Sequence, residues 1–282
     1  MDNFVIVYIF VFVIGACIGS FLNVCIYRIP NGKSIVWPGS ECPACASKIR
    51  WYDNIPIFSW FILGGQCWDC NVHFNFRYPL IEGGTAILFV ASWYFLEPVQ
   101  AIIGMLFIGL LIVASFIDLD HLIIPDCFTV GGFILGCIIS VMVPGLHGYV
   151  GSEPYVVRGL GSLISALNGA FLGSGLLLWV AWIADMVLME ESVGGADIKL
   201  MGCIGAFCGW KGAVFALCGG ALLGSLILVP LILMKRLKSR DARSAYMVVP
   251  FGPWLSLGAI TYFVFTRGLV EAYFKMIGAI FK

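Results

Sequence analysis

Charge is what this chain has least of. Only 11% of its 282 residues are charged, against about a quarter in an ordinary soluble domain. The 16 Lys/Arg and 16 Asp/Glu cancel to a formal net charge of zero. No basic stripe of the kind that marks a nucleic-acid footprint is present, so no nucleic-acid partner is expected, and bulk charge singles out no other. The N-terminal MDNF lacks the basic n-region of a signal peptide. The apolar run behind it, which continues to about Tyr27, therefore reads as a first spanning helix rather than a cleaved leader. There is no internal repeat, no low-complexity tract and no nucleotide-type glycine motif. The three histidines (His73, His121, His147) show no ligand spacing.

What fills the space is apolar: 61% of residues are hydrophobic. Long apolar runs fall at about 4–27, 79–96, 99–117, 128–143, 161–188, 200–210, 212–234 and 250–266. A spanning helix needs about 20 mainly apolar residues, so the fold class is an all-α polytopic membrane protein with about eight transmembrane helices. The sixth run is short, and its border with the seventh is poorly marked. One sizeable polar block interrupts the pattern at 28–78. This divides the chain into a first helix (1–27), a small soluble insert (28–78) and a larger transmembrane domain (79–282).

Orientation follows the excess of Lys/Arg on the cytoplasmic side. Arg28, Lys33, Lys48, Arg50 and Arg77 mark the first loop; Lys235, Arg236, Lys238, Arg240 and Arg243 mark the loop before the last run. Both loops are expected to be cytoplasmic, with six crossings between them. The ends of the runs at Ile117 and Leu188 then emerge on that same face. Arg267, Lys275 and Lys282 run against the trend, because this count puts them outside. Gly15/Gly19, Gly169/Gly173, Gly205/Gly209 and Gly220/Gly224 each form a GxxxG step, which lets membrane helices approach closely.

Seven of the eleven cysteines lie in or beside the apolar runs, where Cys serves as a small hydrophobe. The other four form Cys42-Pro-Ala-Cys45 and Cys67-Trp-Asp-Cys70 within the polar insert. Two CxxC knuckles at this separation can gather four thiolates around zinc. A reducing cytoplasm disfavours the disulfide alternative, and so short a block needs a staple. Four Cys ligands leave no open position for water, so the metal is structural.

Carboxylates at the ends of membrane segments are functional candidates. One group is FIDLDHLIIPD (116–126), with Asp118, Asp120 and Asp126. Another is EESVGGADIKL (190–200), where Asp197 follows a Gly-Gly-Ala turn and Glu190 and Glu191 lie just ahead. Helix caps or interfacial positions are the plain reading of Asp120, Asp126, Asp185, Glu190 and Glu191. Two Asp from distant segments on one face also fit aspartic-protease chemistry, in which a close acid pair shares one proton. A proton-coupled carrier would use the same acids, and a non-catalytic zinc-bearing assembly protein would use only the cysteines.

These segments, in order, resemble the type IV prepilin peptidases, a family of membrane aspartic proteases. GSFLNVCIYRIP (19–30), the two-knuckle insert 42–70, RYPLIE (77–82), FIDLDHLIIPD, GGADIKL and PFGPWLSLGA (250–259) carry the likeness along nearly the whole chain. In the family pattern the first catalytic Asp comes eight residues before the acid or amide that follows Pro, which selects Asp118 over Asp120 and gives Asp126 a structural part. The second closes a Gly-x-Gly-Asp motif, which selects Asp197, with Ala196 in place of the second Gly. The usual Leu-Arg-Gly before the third Cys appears as Leu63-Gly64-Gly65. The resemblance implies cleavage after Gly of a short basic leader on type IV prepilins or type II secretion pseudopilins. It also implies S-adenosylmethionine-dependent methylation of the new N-terminal amine, associated with the first loop. The expected location is the bacterial inner membrane, in contact with lipid, with Asp118 and Asp197 toward the cytoplasm.

Overall fold

The first apolar run contains no proline, and it coils into α1 (Asp2–Arg28), about 40 Å long at 1.5 Å per residue. In the computed structural model, residues 2–42, 44–189, 193–238 and 250–280 are described. Glu190, Glu191, Arg240, Arg243 and Lys282, which figure in the sequence reading, lie outside them. The named elements that follow among the described residues are helices: a short α2 (Phe58–Ile62), then α3 (Arg77–Phe95), α4 (Pro98–His121), α5 (Asp126–Met142), α6 (Tyr155–Leu188), α7 (Gly195–Lys238), α8 (Gly252–Ile260) and α9 (Arg267–Ile280). A π-helical segment, Thr261–Thr266, joins α8 to α9, so the last helix continues well past the end expected at 266. The added stretch carries Arg267 beside Glu271 at 3.1 Å.

Four of the described helices are long and apolar enough to cross a membrane: Val5–Arg28, Pro98–His121, Tyr155–Val187 and Gly195–Pro230. The chain is therefore a multi-pass membrane protein. The other expected crossings fall on shorter or more polar helices, such as α3 with 19 residues and α5 with 17. The sixth and seventh runs form one continuous helix by hydrogen bonding, but Gly209 breaks it with φ +66° and ψ 179°. The border that hydropathy leaves open is thus a glycine kink.

The chain divides into two compact units, Met1–Val113 and Ala114–Lys282. In the first, α1 packs on α3. A Cβ on Gly15 would lie 2.6 Å from the Ala86 Cα, and one on Gly19 2.7 Å from the Glu82 Cα. The loop is tied back to α1 by Arg28, which is 8% exposed. Its guanidinium donates to the carbonyls of Ser34 (3.0 Å), Pro38 (2.7 Å) and Gly39 (2.8 Å).

In the second unit α7 is the hub, with α5, α6 and α8 packed on it. Leu200, Met201, Ile204 and Phe207 on its first turns are all but inaccessible. Against α6 the contact is backbone on backbone, since a Cβ on Gly205 would lie 2.2 Å from the Gly169 carbonyl oxygen. Two of the GxxxG steps therefore face each other. Against α8, a Cβ on Gly220 would lie 2.8 Å from the Trp254 carbonyl oxygen. Gly205→Val should lower stability by about 1–3 kcal/mol, the usual cost of overpacking, read as a lower thermal midpoint in detergent. Gly175→Ala, with nothing within 4 Å of the added carbon, should leave the midpoint unchanged.

Candidate active site and metal centre

Asp118 lies in the last turns of α4 and Asp197 in the first turn of α7, and both belong to the second unit. Asp118 is 6% exposed and Asp197 8%. The two carboxylates are close enough for the charge of one to act on the other. Asp120 and Asp126 are exposed. The acids chosen from the motifs are therefore the buried ones.

Each acid is positioned from a different direction. The Gly252 N–H donates to Asp118 Oδ2 at 3.1 Å. A Cβ on Gly252 would meet that oxygen at 2.7 Å, so only glycine brings its N–H this close without moving the carboxylate. This gives the PFGPW segment a role that the sequence reading did not assign, because the contact joins residues 134 positions apart. Asp197 is held through its helix. The Ser174 hydroxyl on α6 donates to the Ile198 carbonyl at 2.9 Å, and Lys199 Nζ reaches Asp126 Oδ1 at 2.7 Å. That ion pair is exposed, so it adds little stability, but it ties the start of α7 to the start of α5.

Asp197 Oδ1 is buried and has no hydrogen-bond partner among the described residues. A buried carboxylate oxygen without a donor is costly when ionised. Nothing among the described residues lies within 4 Å of a Cβ added to Gly195, two residues ahead of it. Ala196 is not among the residues with positive φ, so its methyl group is accommodated without backbone strain.

In the first unit the four loop cysteines converge, with all four sulfurs within 4.8 Å of one another. Cys42 and Cys70 are 3.8 Å apart, and Cys45 and Cys67 4.0 Å. A tetrahedron with Zn–S near 2.3 Å has edges of about 3.8 Å, so the set fits a zinc ion. The two knuckles repeat one geometry. Cys42 N–H donates to Ser47 O at 2.9 Å, and Cys67 N–H to Val72 O at 2.9 Å. Each knuckle is followed by a left-handed residue, Ala46 (φ 55°) or Asn71 (φ 55°). Ser47 beside Cys45 pulls that thiol down to about 6, and the backbone N–H groups of Cys70 and Asp69 lower that of Cys67. Both favour the thiolate, the metal-binding form. Gly64, where the resemblance expects Arg, has φ +61°, a conformation that suits glycine.

A membrane protein with a four-cysteine insert and two buried Asp at helix ends is a narrow class, and the comparisons agree with it. The family described as type IV leader peptidase matches residues 105–229, and the bacterial peptidase A24 N-terminal domain matches residues 13–96. The chain is 37% identical over 233 residues to the prepilin leader peptidase/N-methyltransferase of Myxococcus xanthus, an alignment covering 78% of this chain and 63% of that protein. It is 35% identical to the type 4 prepilin-like proteins leader peptide-processing enzyme of Escherichia coli, over 87% of this chain and 89% of the relative. It is 31% identical to the prepilin leader peptidase/N-methyltransferase of Pseudomonas aeruginosa, over 94% and 92%. No solved structure matches. The chain belongs to the type IV leader peptidase family.

Three outcomes follow from the two sites. Metal analysis of the purified chain should find about one zinc, as a Cys₄ site requires. Cys67→Ser should lose the metal and open the loop to limited proteolysis, since metal binding and folding are coupled. A fully active, zinc-free preparation would overturn the metal assignment. In Gly252→Ala the displaced Asp118 should lower leader cleavage about 100-fold, the scale of a misplacement near 1 Å, with the amount of inserted protein unchanged.

Proposed function

We propose that this chain is a bifunctional membrane enzyme. It removes a short basic leader after Gly from type IV prepilins or type II secretion pseudopilins, and it then methylates the new N-terminal amine. Asp118 and Asp197 are the catalytic acids. The observation that carries this reading is a pair of buried carboxylates on separate helices of one unit, within reach of each other's charge, one held by a backbone N–H and the other with an oxygen that has no donor among the described residues.

In aspartic-protease chemistry a close acid pair shares one proton. The ionised carboxylate takes a proton from water as the water oxygen attacks the scissile carbonyl. The protonated carboxylate gives its proton to the carbonyl oxygen, leaving a tetrahedral gem-diol. The C–N bond then breaks as the amine leaves with a proton from the first acid, and the second regains the hydroxyl proton. Gly252 fixes Asp118 for this exchange, and the glycine turn before Asp197 admits an extended substrate strand.

Zinc on Cys42, Cys45, Cys67 and Cys70 staples the first loop. S-adenosylmethionine, when bound, supplies the methyl group as a sulfonium. The domain reading of 1–27, 28–78 and 79–282 stands beside this, with eight crossings, both acids facing the cytoplasm, and the bacterial inner membrane as the location. The Lys/Arg count supports that orientation.

Asp118→Asn and Asp197→Asn should each leave a stably inserted, zinc-containing protein whose cleavage of a co-expressed prepilin falls at least about 100-fold, the lower range for loss of acid–base catalysis. Mass spectrometry of the mature N-terminus reads both the cut and the added methyl. Near-normal cleavage by Asp118→Asn, with loss in Asp120→Asn, would refute the choice of acid.

A further inference from the structure

The RYPLIE segment ends on Glu82, whose role the peptidase mechanism leaves open. Glu82 is 8% exposed, the buried acid among the described residues of Met1–Val113. It sits on the second turn of α3, about 7.5 Å along the helix from Arg77 at 1.5 Å per residue. A carboxylate at that depth of a membrane helix is costly unless it is used. Its Oε2 accepts the Ile57 N–H at 2.7 Å, and Ser20 lines the same cavity as Glu82. Ile57 has φ 66°, an uncommon conformation for a β-branched residue. No cation pairs with Glu82 in the ion pairs of the described residues. A carboxylate offers about four lone-pair sites, so one neutral donor, the Ile57 N–H, leaves acceptor capacity unused.

That capacity borders a cavity of ≈ 510 Å³, within the range of small-molecule and cofactor sites. Ser20, Asn23 and Glu82 line its helical side, and Trp37, Trp60 and Trp68 are among its loop residues. Indole faces attract cations. Side chains of both signs line the rest, Asp53 and Lys48 among them. A sulfonium donor with a zwitterionic tail has complementary chemistry.

We propose that Glu82 receives the newly exposed N-terminal ammonium of the cleaved substrate and takes its proton, with the sulfonium methyl donor held in this cavity. The substrate's apolar helix stays in lipid, which leaves its new N-terminus at the interfacial depth of Glu82. An ammonium–carboxylate hydrogen bond is among the strong ones. Proton transfer to Glu82 frees the nitrogen lone pair. The nitrogen attacks the methyl carbon, the C–S bond breaks, and its electron pair stays on sulfur, giving the neutral thioether. The product is a secondary ammonium, and the carboxyl group gives its proton to water. This rests on the methyltransferase half of the proposed function.

Glu82→Gln keeps an acceptor for the Ile57 N–H and removes only the charge. In full-length chain in nanodiscs, it should methylate at least about 100-fold more slowly, as for loss of a general base, while cleavage and zinc content stay at wild-type levels. Binding of a mature-end peptide should separate a chemical role from a structural one. Wild type should prefer the free amine over the N-acetylated form, and Glu82→Gln should bind both alike. Val24→Trp, which fills the cavity, should abolish binding of S-adenosylhomocysteine. Ultraviolet labelling of the wild-type chain by S-adenosylmethionine should map within residues 20–82. Methylation by Glu82→Gln within threefold of wild type, a retained amine preference, or labelling confined to residues 114–282 would each overturn the proposal. Wild-type protein that cleaves prepilin but neither binds S-adenosylhomocysteine nor adds a methyl would instead refute the methyltransferase reading on which it stands.

Discussion

The close approach of α6 to α7, where Gly169 and Gly205 meet backbone to backbone, is the contact on which the proposed peptidase site depends. In lipid, helices gain nothing by hiding apolar surface from each other, so association rests on tight packing and interhelical hydrogen bonds. Removing side chains at this crossing lets the Ser174 hydroxyl reach the Ile198 carbonyl and fixes the first turn of α7. Asp197 sits on that turn. The same helix then breaks at Gly209 and meets α8 at Gly220. Since α8 begins at Gly252, the hub that places one acid also places the donor that holds the other.

The first unit meets a different constraint. Its loop is too short for a dependable core, and many of its aromatic side chains, Trp37, Trp51 and Trp68 among them, remain exposed. Order comes from three local devices: the paired cysteine knuckles, the Arg28 guanidinium gathering three carbonyls, and the Ile57–Glu82 hydrogen bond back to α3. The last two connect the loop to the helices at both of its ends.

Much of this was legible in the sequence because it is written in short-range patterns. Apolar runs gave the helices, the two CxxC steps gave the four-sulfur cluster, and the GxxxG steps proved to be helix contacts. The choice of Asp118 and Asp197 came from the family resemblance, and in the structure both are buried. What escaped depends on residues that meet only after folding. Nothing local to Gly252 reveals that it faces Asp118, and nothing in RYPLIE reveals that Glu82 borders a cavity. Hydropathy marked the border near Gly209 only poorly, because a glycine break leaves the apolar content of both halves unchanged. The last helix ran past 266 for a related reason. Arg267 reads as a stop signal alone, but Glu271 one turn later pairs with it, and the Leu146 carbonyl accepts from its guanidinium.

The manner in which each acid is held separates those available for chemistry from those that serve structure. Asp126 faces an ammonium at 2.7 Å, and taking up a proton there would cost it that ion pair. Asp118 and Glu82 are instead held by backbone N–H groups, from Gly252 and Ile57. A neutral donor fixes a carboxylate oxygen in space without cancelling its charge, and it remains in place when the other oxygen takes a proton. Acids that must exchange protons at a membrane surface are therefore better anchored by main chain than by Lys or Arg. In this protein the three carboxylates with low exposure, Glu82, Asp118 and Asp197, are absent from its ion pairs among the described residues.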